Sequence, residues 1–135
     1  MIQTLDIGKA IYSLLVSDTT VSSLVGENIF PLVAPEGTEF PYVVYSCVSM
    51  TTARDKDRLF YQQDVSEAVI VCTEDYTSGI EIATAIAQAL QFEEKQVILD
   101  SGMTIDIMES GFSGKTEDYV QNTYVQGLMF NLKLR

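Results

Sequence analysis

The first part of the chain has the apolar spacing of helices. Apolar residues recur there at helical intervals: Leu5, Ile11, Leu14 and Leu15. This pattern predicts a first helix from Thr4 to Ser17. A short second helix follows, because Asp18-Thr19-Thr20 offers an N-cap and Gly26 ends the apolar run that begins at Val21.

The middle of this half contains all three prolines. Pro31 and Pro35 exclude a helix interior or a central strand, because proline lacks an N–H and has a fixed φ. Pro41 can open a strand, and Tyr42 to Met50 is rich in β-branched and aromatic residues without a breaker. We therefore expect a short, rigid arm that leads into a core strand.

The second half predicts a hairpin partner, a helix and two more strands. Their predicted ranges are a strand at Gln63–Thr73, a helix at Tyr76–Phe92, a strand at Met103–Glu109, a flexible connection at Ser110–Asp118 and a strand at Tyr119–Leu134. The fold class is therefore predicted as α+β, a mainly antiparallel four-stranded sheet with helices packed on one face. The element order is α-α-β-β-α-β-β, in one domain that spans residues 1–135.

The charge balance narrows the function classes. Nineteen acidic and eight basic residues give a net charge of −11. This argues against binding of a nucleic-acid backbone, which needs Lys and Arg to displace counterions. The sequence has no run of 18 apolar residues, and its N-terminal segment lacks a basic region, so we expect neither a membrane span nor a signal peptide.

The motifs that could carry chemistry are incomplete. Ser113-Gly114-Lys115-Thr116 resembles the end of a phosphate loop, but Glu109 stands where the loop needs glycine, and a strand is predicted to follow. The chain has no histidine to serve as a base or a zinc ligand. Cys47 and Cys72 are interpreted as buried free thiols, with a cross-strand disulfide as the alternative. We expect no catalytic residue, no cofactor and no metal.

Interaction features remain. The polar segment between the two hairpin strands, Thr51 to Gln62, is predicted to form a long hairpin tip. Its charges alternate from Arg54 to Arg58, which suits a subunit contact or, equally, a solvated loop. The proline arm, Ile29 to Pro35, suits a contact with a neighbouring subunit, although a hydrophobic plug onto the sheet edge explains Ile29 and Phe30 better. Exposed sheet edges capped by neighbours in a ring would also suit such a fold. The predicted interface residues are Ile29, Phe30, Pro31, Leu32, Pro35, Arg54, Asp55, Lys56, Asp57 and Arg58.

Three segments together resemble the tail-completion, or tail-terminator, proteins of long-tailed phages and prophages. These segments are Ile11-Tyr12-Ser13-Leu14-Leu15, Gly26 to Pro35, and Phe40-Pro41-Tyr42-Val43-Val44-Tyr45. The similarity is most specific from Ile29 to Tyr45. Many members carry an arginine just before the position of Ile29, where this chain has Asn28, so any contact of that arginine is not carried over.

The resemblance implies a structural virion protein without enzymatic activity. Such a subunit forms a hexameric ring at the head-proximal end of the tail tube. The virion that contains it is assembled in the host bacterial cytoplasm. Its implied partners are other copies of the chain, the tail tube protein and the head connector protein. The acidic charge fits a lumen through which DNA passes without specific binding.

Two alternatives remain open at this point. The first is another head–tail connector or minor tail component, which differs from a terminator in its position in the particle. The second is a small enzyme with an unrecognised acidic site. A deep pocket that holds carboxylates with shifted pKa values would favour the enzyme.

Overall fold

A computed structural model describes residues 2–53 and 62–135. A 3-10 helix at Ile2–Asp6 precedes three α-helices: α1 at Ile7–Ser17, α2 at Thr19–Val25 and α3 at Tyr76–Ala89. The six strands are β1 at Ile29–Pro31, β2 at Tyr42–Ala53, β3 at Gln62–Thr73, β4 at Phe92–Ile98, β5 at Thr104–Val120 and β6 at Thr123–Leu134.

The strands form one mixed sheet that curls into a half-barrel. Its strand order is β1-β2-β3-β6-β5-β4. β1 runs parallel to β2, and every other neighbouring pair is antiparallel. β6 lies between β3 and β5, so the last strand along the chain occupies a central position in the sheet.

The core lies between the sheet and its helices. α1 contacts both β2 and β4 and so bridges the two ends of the curled sheet, while α3 packs against β3 and β6. The helices begin where the sequence offers caps. The Asp18 side chain accepts a hydrogen bond from the Val21 N–H at 3.0 Å, and Asp75 accepts one from the Ser78 N–H at 2.9 Å. Fully buried aliphatic and aromatic side chains fill the interior: Ile7, Ile11, Leu15, Ile82, Ile86, Ile105, Ile107 and Phe130.

The predicted fold class was wrong, because the protein has a six-stranded, curled mixed sheet and not a mainly antiparallel four-stranded one. Two strands were missed. The proline arm begins with β1. This strand has only three residues and forms by pairing with Val43–Tyr45 of β2. Glu93-Glu94-Lys95 lies inside β4, where a strand at the sheet's edge tolerates charged side chains that face solvent.

The segment predicted as a flexible connection is part of a strand. β5 continues through Ser110–Asp118 and pairs with β6 as far as Val120 and Thr123. Gln121 and Asn122 link the two strands with φ values of 50° and 61°, as a two-residue hairpin turn requires. Polar side chains cover this stretch because it extends beyond β4 and lies largely in solvent, so its composition resembles that of a loop.

Candidate interaction surfaces

The proline arm has a buried base and an exposed tip. Ile29 in β1 is 3% exposed and plugs the edge of the core, whereas Phe30 is half-buried. Leu32 has φ 65° and is 77% exposed, and the next residue, Val33, is 73% exposed. A left-handed backbone is uncommon for a leucine. The turn therefore places two adjacent apolar side chains in solvent, beside the exposed Pro31 and Pro35.

Asn28 connects the base of this arm to the segment that leads into β2. Its side-chain amide donates hydrogen bonds to the carbonyl oxygens of Glu39 and Pro41, each at 3.2 Å. Its own carbonyl accepts from the Val43 N–H at 2.9 Å. The residue that departs from the common arginine thus has a local role here, which is to close the arm into a fixed loop.

The second predicted interface lies outside the described residues. All five of its members belong to the segment 54–61, which the structure does not describe: Arg54, Asp55, Lys56, Asp57 and Arg58. The strands on either side of it are β2 and β3, which pair as the antiparallel hairpin predicted from the sequence.

A buried carboxylate lies in the middle of the sheet. Glu67 is fully buried on β3, opposite Cys47 on one side and Phe130 on the other. Neither carboxylate oxygen has a hydrogen-bond partner within the described ranges 2–53 and 62–135. Burial raises the pKa of Glu67 to about 7, because the charged form is poorly solvated there.

Sequence reasoning missed Glu67, although a signal was present. The residue falls in the alternating series Val65, Glu67, Val69 and Val71, so an acid occupied a position whose neighbours all face the core. A charge at such a position is costly unless it is paired or neutralised. The alternation alone could therefore have identified it.

The two cysteines are not cross-strand partners. Cys47 lies opposite Glu67, whereas Cys72 lies opposite Tyr42, five residues along β2. Both thiols are free; Cys72 is buried, but Cys47 is exposed. The interpretation of two buried thiols was therefore wrong for Cys47, which lies near the outer edge of the sheet.

The fragment that resembles a phosphate loop is part of a strand. Ser113-Gly114-Lys115-Thr116 lies within β5, where Ser113 is the extra residue of a bulge. The Lys115 ammonium contacts the Glu117 carboxylate at 2.8 Å. This lysine is therefore not aimed at a cradle of backbone N–H groups, as phosphate binding requires.

An open groove of about 510 Å³ runs between α3 and β5. Apolar side chains dominate its lining, notably Ile80, Ala83, Phe112 and Leu128, and no carboxylate contributes to it. Glu67, the described carboxylate whose pKa burial raises, lies elsewhere. The groove thus lacks the pattern that would favour an enzyme with an acidic site.

The described residues offer neither a cluster of metal ligands nor a helix that could span a membrane. No group of three or more Cys, Asp or Glu side chains among residues 2–53 and 62–135 could hold a metal ion. Within the same part of the chain, no helix is both long enough and apolar enough to cross a membrane.

Comparison with known proteins places the chain in a family. The family model for tail completion protein gp17 matches residues 9–130. No curated protein matches the sequence. Among solved structures, a chain from the virion of a native gene transfer agent particle has a TM-score of 0.69 and 18% identity. The alignment covers 92% of this chain and 90% of that one, so the two share a fold. The chain belongs to the tail completion protein gp17 family and is a structural tail protein.

Proposed function

We propose that this chain caps the phage tail tube as a hexameric ring and joins the tail to the head connector. The observation that carries the proposal is the family match over residues 9–130. A fold shared with a virion protein supports it. The protein acts as a single domain and by binding alone, with other copies of itself, the tail tube protein and the connector protein as partners.

The exposed tip of the arm is the proposed contact with a neighbouring subunit. Leu32 and Val33 are more than 70% exposed and adjacent, and the hydrogen bonds of Asn28 fix the loop that carries them. Covering two such side chains on assembly removes apolar area from water. Ile29 is buried and serves as the anchor of the arm.

The net charge of −11 supports a lumen through which DNA passes without adhering. The corresponding expectation is that the purified chain does not retard double-stranded DNA in a gel, even at low salt. Retardation at low salt would contradict a non-adhesive lumen, because phosphate contacts are strongest there.

The test of the function is electron microscopy of particles that assemble without this gene. We expect filled heads beside headless tails of uncontrolled length, with wild-type gene supplied in trans restoring joined particles. Tails of normal length that fail to join heads would move the chain to another connector or minor tail role. Normal infectious particles would overturn the virion role and favour a small enzyme.

A variant pair tests the arm. Leu32→Asp places a charge at the proposed contact, and we expect at least a tenfold loss of joined particles in the complementation assay. Leu5→Asp is the matched control, since Leu5 is 71% exposed on the 3-10 helix and lies away from the arm. Equal losses from both variants would show that the arm has no special role.

A further inference from the structure

The outer edge of β2 is open over most of its length. β1 pairs with β2 at Val43, Val44 and Tyr45 alone. From Ser46 onward, β2 is hydrogen-bonded to β3 on one side, and no strand within the described ranges pairs with its other side. A free strand edge is a template for another strand.

Two hydrogen bonds show which way the backbone groups of β2 point at this edge. The Val43 N–H donates to the Asn28 carbonyl and the Tyr45 carbonyl accepts from the Leu32 N–H, each at 2.9 Å, so both residues turn their backbone groups away from β3. Alternation extends this direction to Cys47.

The bulge at Val48 then shifts the alternation by one residue. Met50 lies opposite Val65 and Thr52 opposite Gln63, so both continue the outward series that includes Cys47 opposite Glu67. The open edge thus presents outward backbone groups at three positions.

This edge lacks the charged side chains that the open edge of β4 carries. Residues 46–52 include no charged side chain, and Val48 is 59% exposed. β4 carries Glu93, Glu94 and Lys95 on its own outer side of the sheet. Charged residues on an edge oppose strand addition, so β2 is the less protected of these edges.

β5 has a second open stretch beyond its pairing with β4, which ends at Ser110. Side chains cap two outward N–H groups there: Phe112 donates to Gln91 at 3.3 Å, and Tyr119 donates to Asp118 at 2.8 Å. By the same alternation, the outward backbone groups between these caps belong to Lys115 and Glu117.

We propose that the open edge of β2, from Ser46 to Thr52, pairs with the open edge of β5, around Lys115 to Glu117, of a second copy of this chain. The two edges lie at different places on one sheet, so the contact is heterologous and repeats from copy to copy. Copies that each carry a charge of −11 approach at least cost where one edge is uncharged and where Lys115 and Glu117 on the other edge offset each other in an ion pair at 2.8 Å. The contact rests on the proposed ring and specifies how its subunits join.

Disulfide trapping tests this contact. In a Cys72→Ser background, Cys47 remains as the thiol on β2, and Lys115→Cys or Glu117→Cys adds one on β5. Within one copy β3 and β6 separate these strands, a span of about 14 Å that no disulfide can bridge. We expect a ladder of linked copies on a non-reducing gel from at least one of the two variants after oxidation.

Glu81→Cys, on the exposed surface of α3, is the matched control and should give at least tenfold less ladder. No ladder from either β5 variant, or an equal ladder from Glu81→Cys, would overturn the proposal.

A second pair of variants separates the edge contact from folding and from the proposed function. Val48→Lys puts a charge on the β2 edge and should reduce the Cys47 ladder at least tenfold while the thermal unfolding midpoint stays unchanged within error. Ile98→Lys, at a 72% exposed position of β4, should leave the ladder intact. A full ladder with Val48→Lys would count against the contact even if gene deletion gave the terminator phenotype. A lost ladder combined with a connector phenotype would support the contact and not the proposed function.

Discussion

The two halves of the curled sheet place their charge in opposite ways. The first half, β1 to β3, buries the unpartnered carboxylate of Glu67 in the core and leaves the outer edge of β2 uncharged. The second half, β4 to β6, buries no charged side chain among the described residues and carries ion pairs on its surface. These pairs are Arg135 with Glu94 at 3.0 Å, Lys133 with Glu109 at 3.4 Å and Lys115 with Glu117 at 2.8 Å.

The difference teaches that position decides what a charge does. An exposed ion pair gains little, because water solvates its members almost as well as they solvate each other. A buried carboxylate without a partner loses its solvation and gains nothing in return. The first half therefore holds the larger electrostatic penalty, although the second half has more charged residues in its strands.

The substitution with the largest expected effect on the free energy of unfolding lies where the two halves of the sheet meet. Phe130 is fully buried, pairs with Glu67 on β3, and has its ring 5.8 Å from that of Phe112 on β5. Phe130→Ala should lower the free energy of unfolding by about 4 kcal/mol, because it removes apolar contacts and leaves a cavity. Water in that cavity would also lower the pKa of Glu67.

Denaturant unfolding measures the loss caused by Phe130→Ala, and its pH dependence reports Glu67. Phe112→Ala is the control, since that ring is 43% exposed and its loss should cost about 1 kcal/mol. Equal losses at the two positions would contradict the view that Phe130 joins the halves.

The buried acid should make stability depend on pH. The pKa of Glu67 is raised from 4.5 to about 7, so between these values the folded chain holds a proton that the unfolded chain has released. Its contribution therefore favours folding most at low pH and is lost as the pH rises through 7, by about 3 kcal/mol in total.

Glu67→Gln should remove this part of the pH dependence and make the protein more stable than wild type at pH 8. Urea unfolding between pH 4.5 and pH 8 measures it. Glu109→Gln, an isosteric change at an exposed acid, should retain the wild-type slope. If Glu67→Gln and wild type kept the same slope, Glu67 would not be the group responsible.

The smallest effect on stability is expected from breaking an ion pair on the surface of the second half. Arg135 contacts Glu94 and Asp106, but its side chain remains 49% exposed. Arg135→Gln should therefore leave the thermal midpoint unchanged within error at a physiological ionic strength of about 0.15 M. A clear drop that disappears at high salt would show that surface pairs stabilise this half after all.

Sequence patterns predicted the parts of the fold that depend on local chemistry. The cap at Asp18, the stop at Gly26 and the β2–β3 hairpin are all confirmed. They follow from short-range spacing, turn residues and side-chain hydrogen bonds. The resemblance to tail-completion proteins, carried mainly by Ile29 to Tyr45, is also confirmed by the family match.

The rest depends on long-range pairing that local patterns do not encode. Three residues of β1 become a strand because β2 lies beside them, and Glu93-Glu94-Lys95 becomes a strand because β5 does. The exposure of Leu32 depends on a single left-handed residue. The interface residues named from the sequence remain predictions, and half of them lie outside the described ranges.

The central position of β6 also determines when the sheet can form during synthesis of the chain. Residues 63–73 pair with residues 124–134, so the middle of the sheet waits for a segment synthesised about 60 residues later. Contacts so distant along a chain form slowly. During synthesis, the inner side of β3 therefore cannot pair along its full length until Leu134 has been made, and a nascent chain held up before that point exposes part of this edge to other chains.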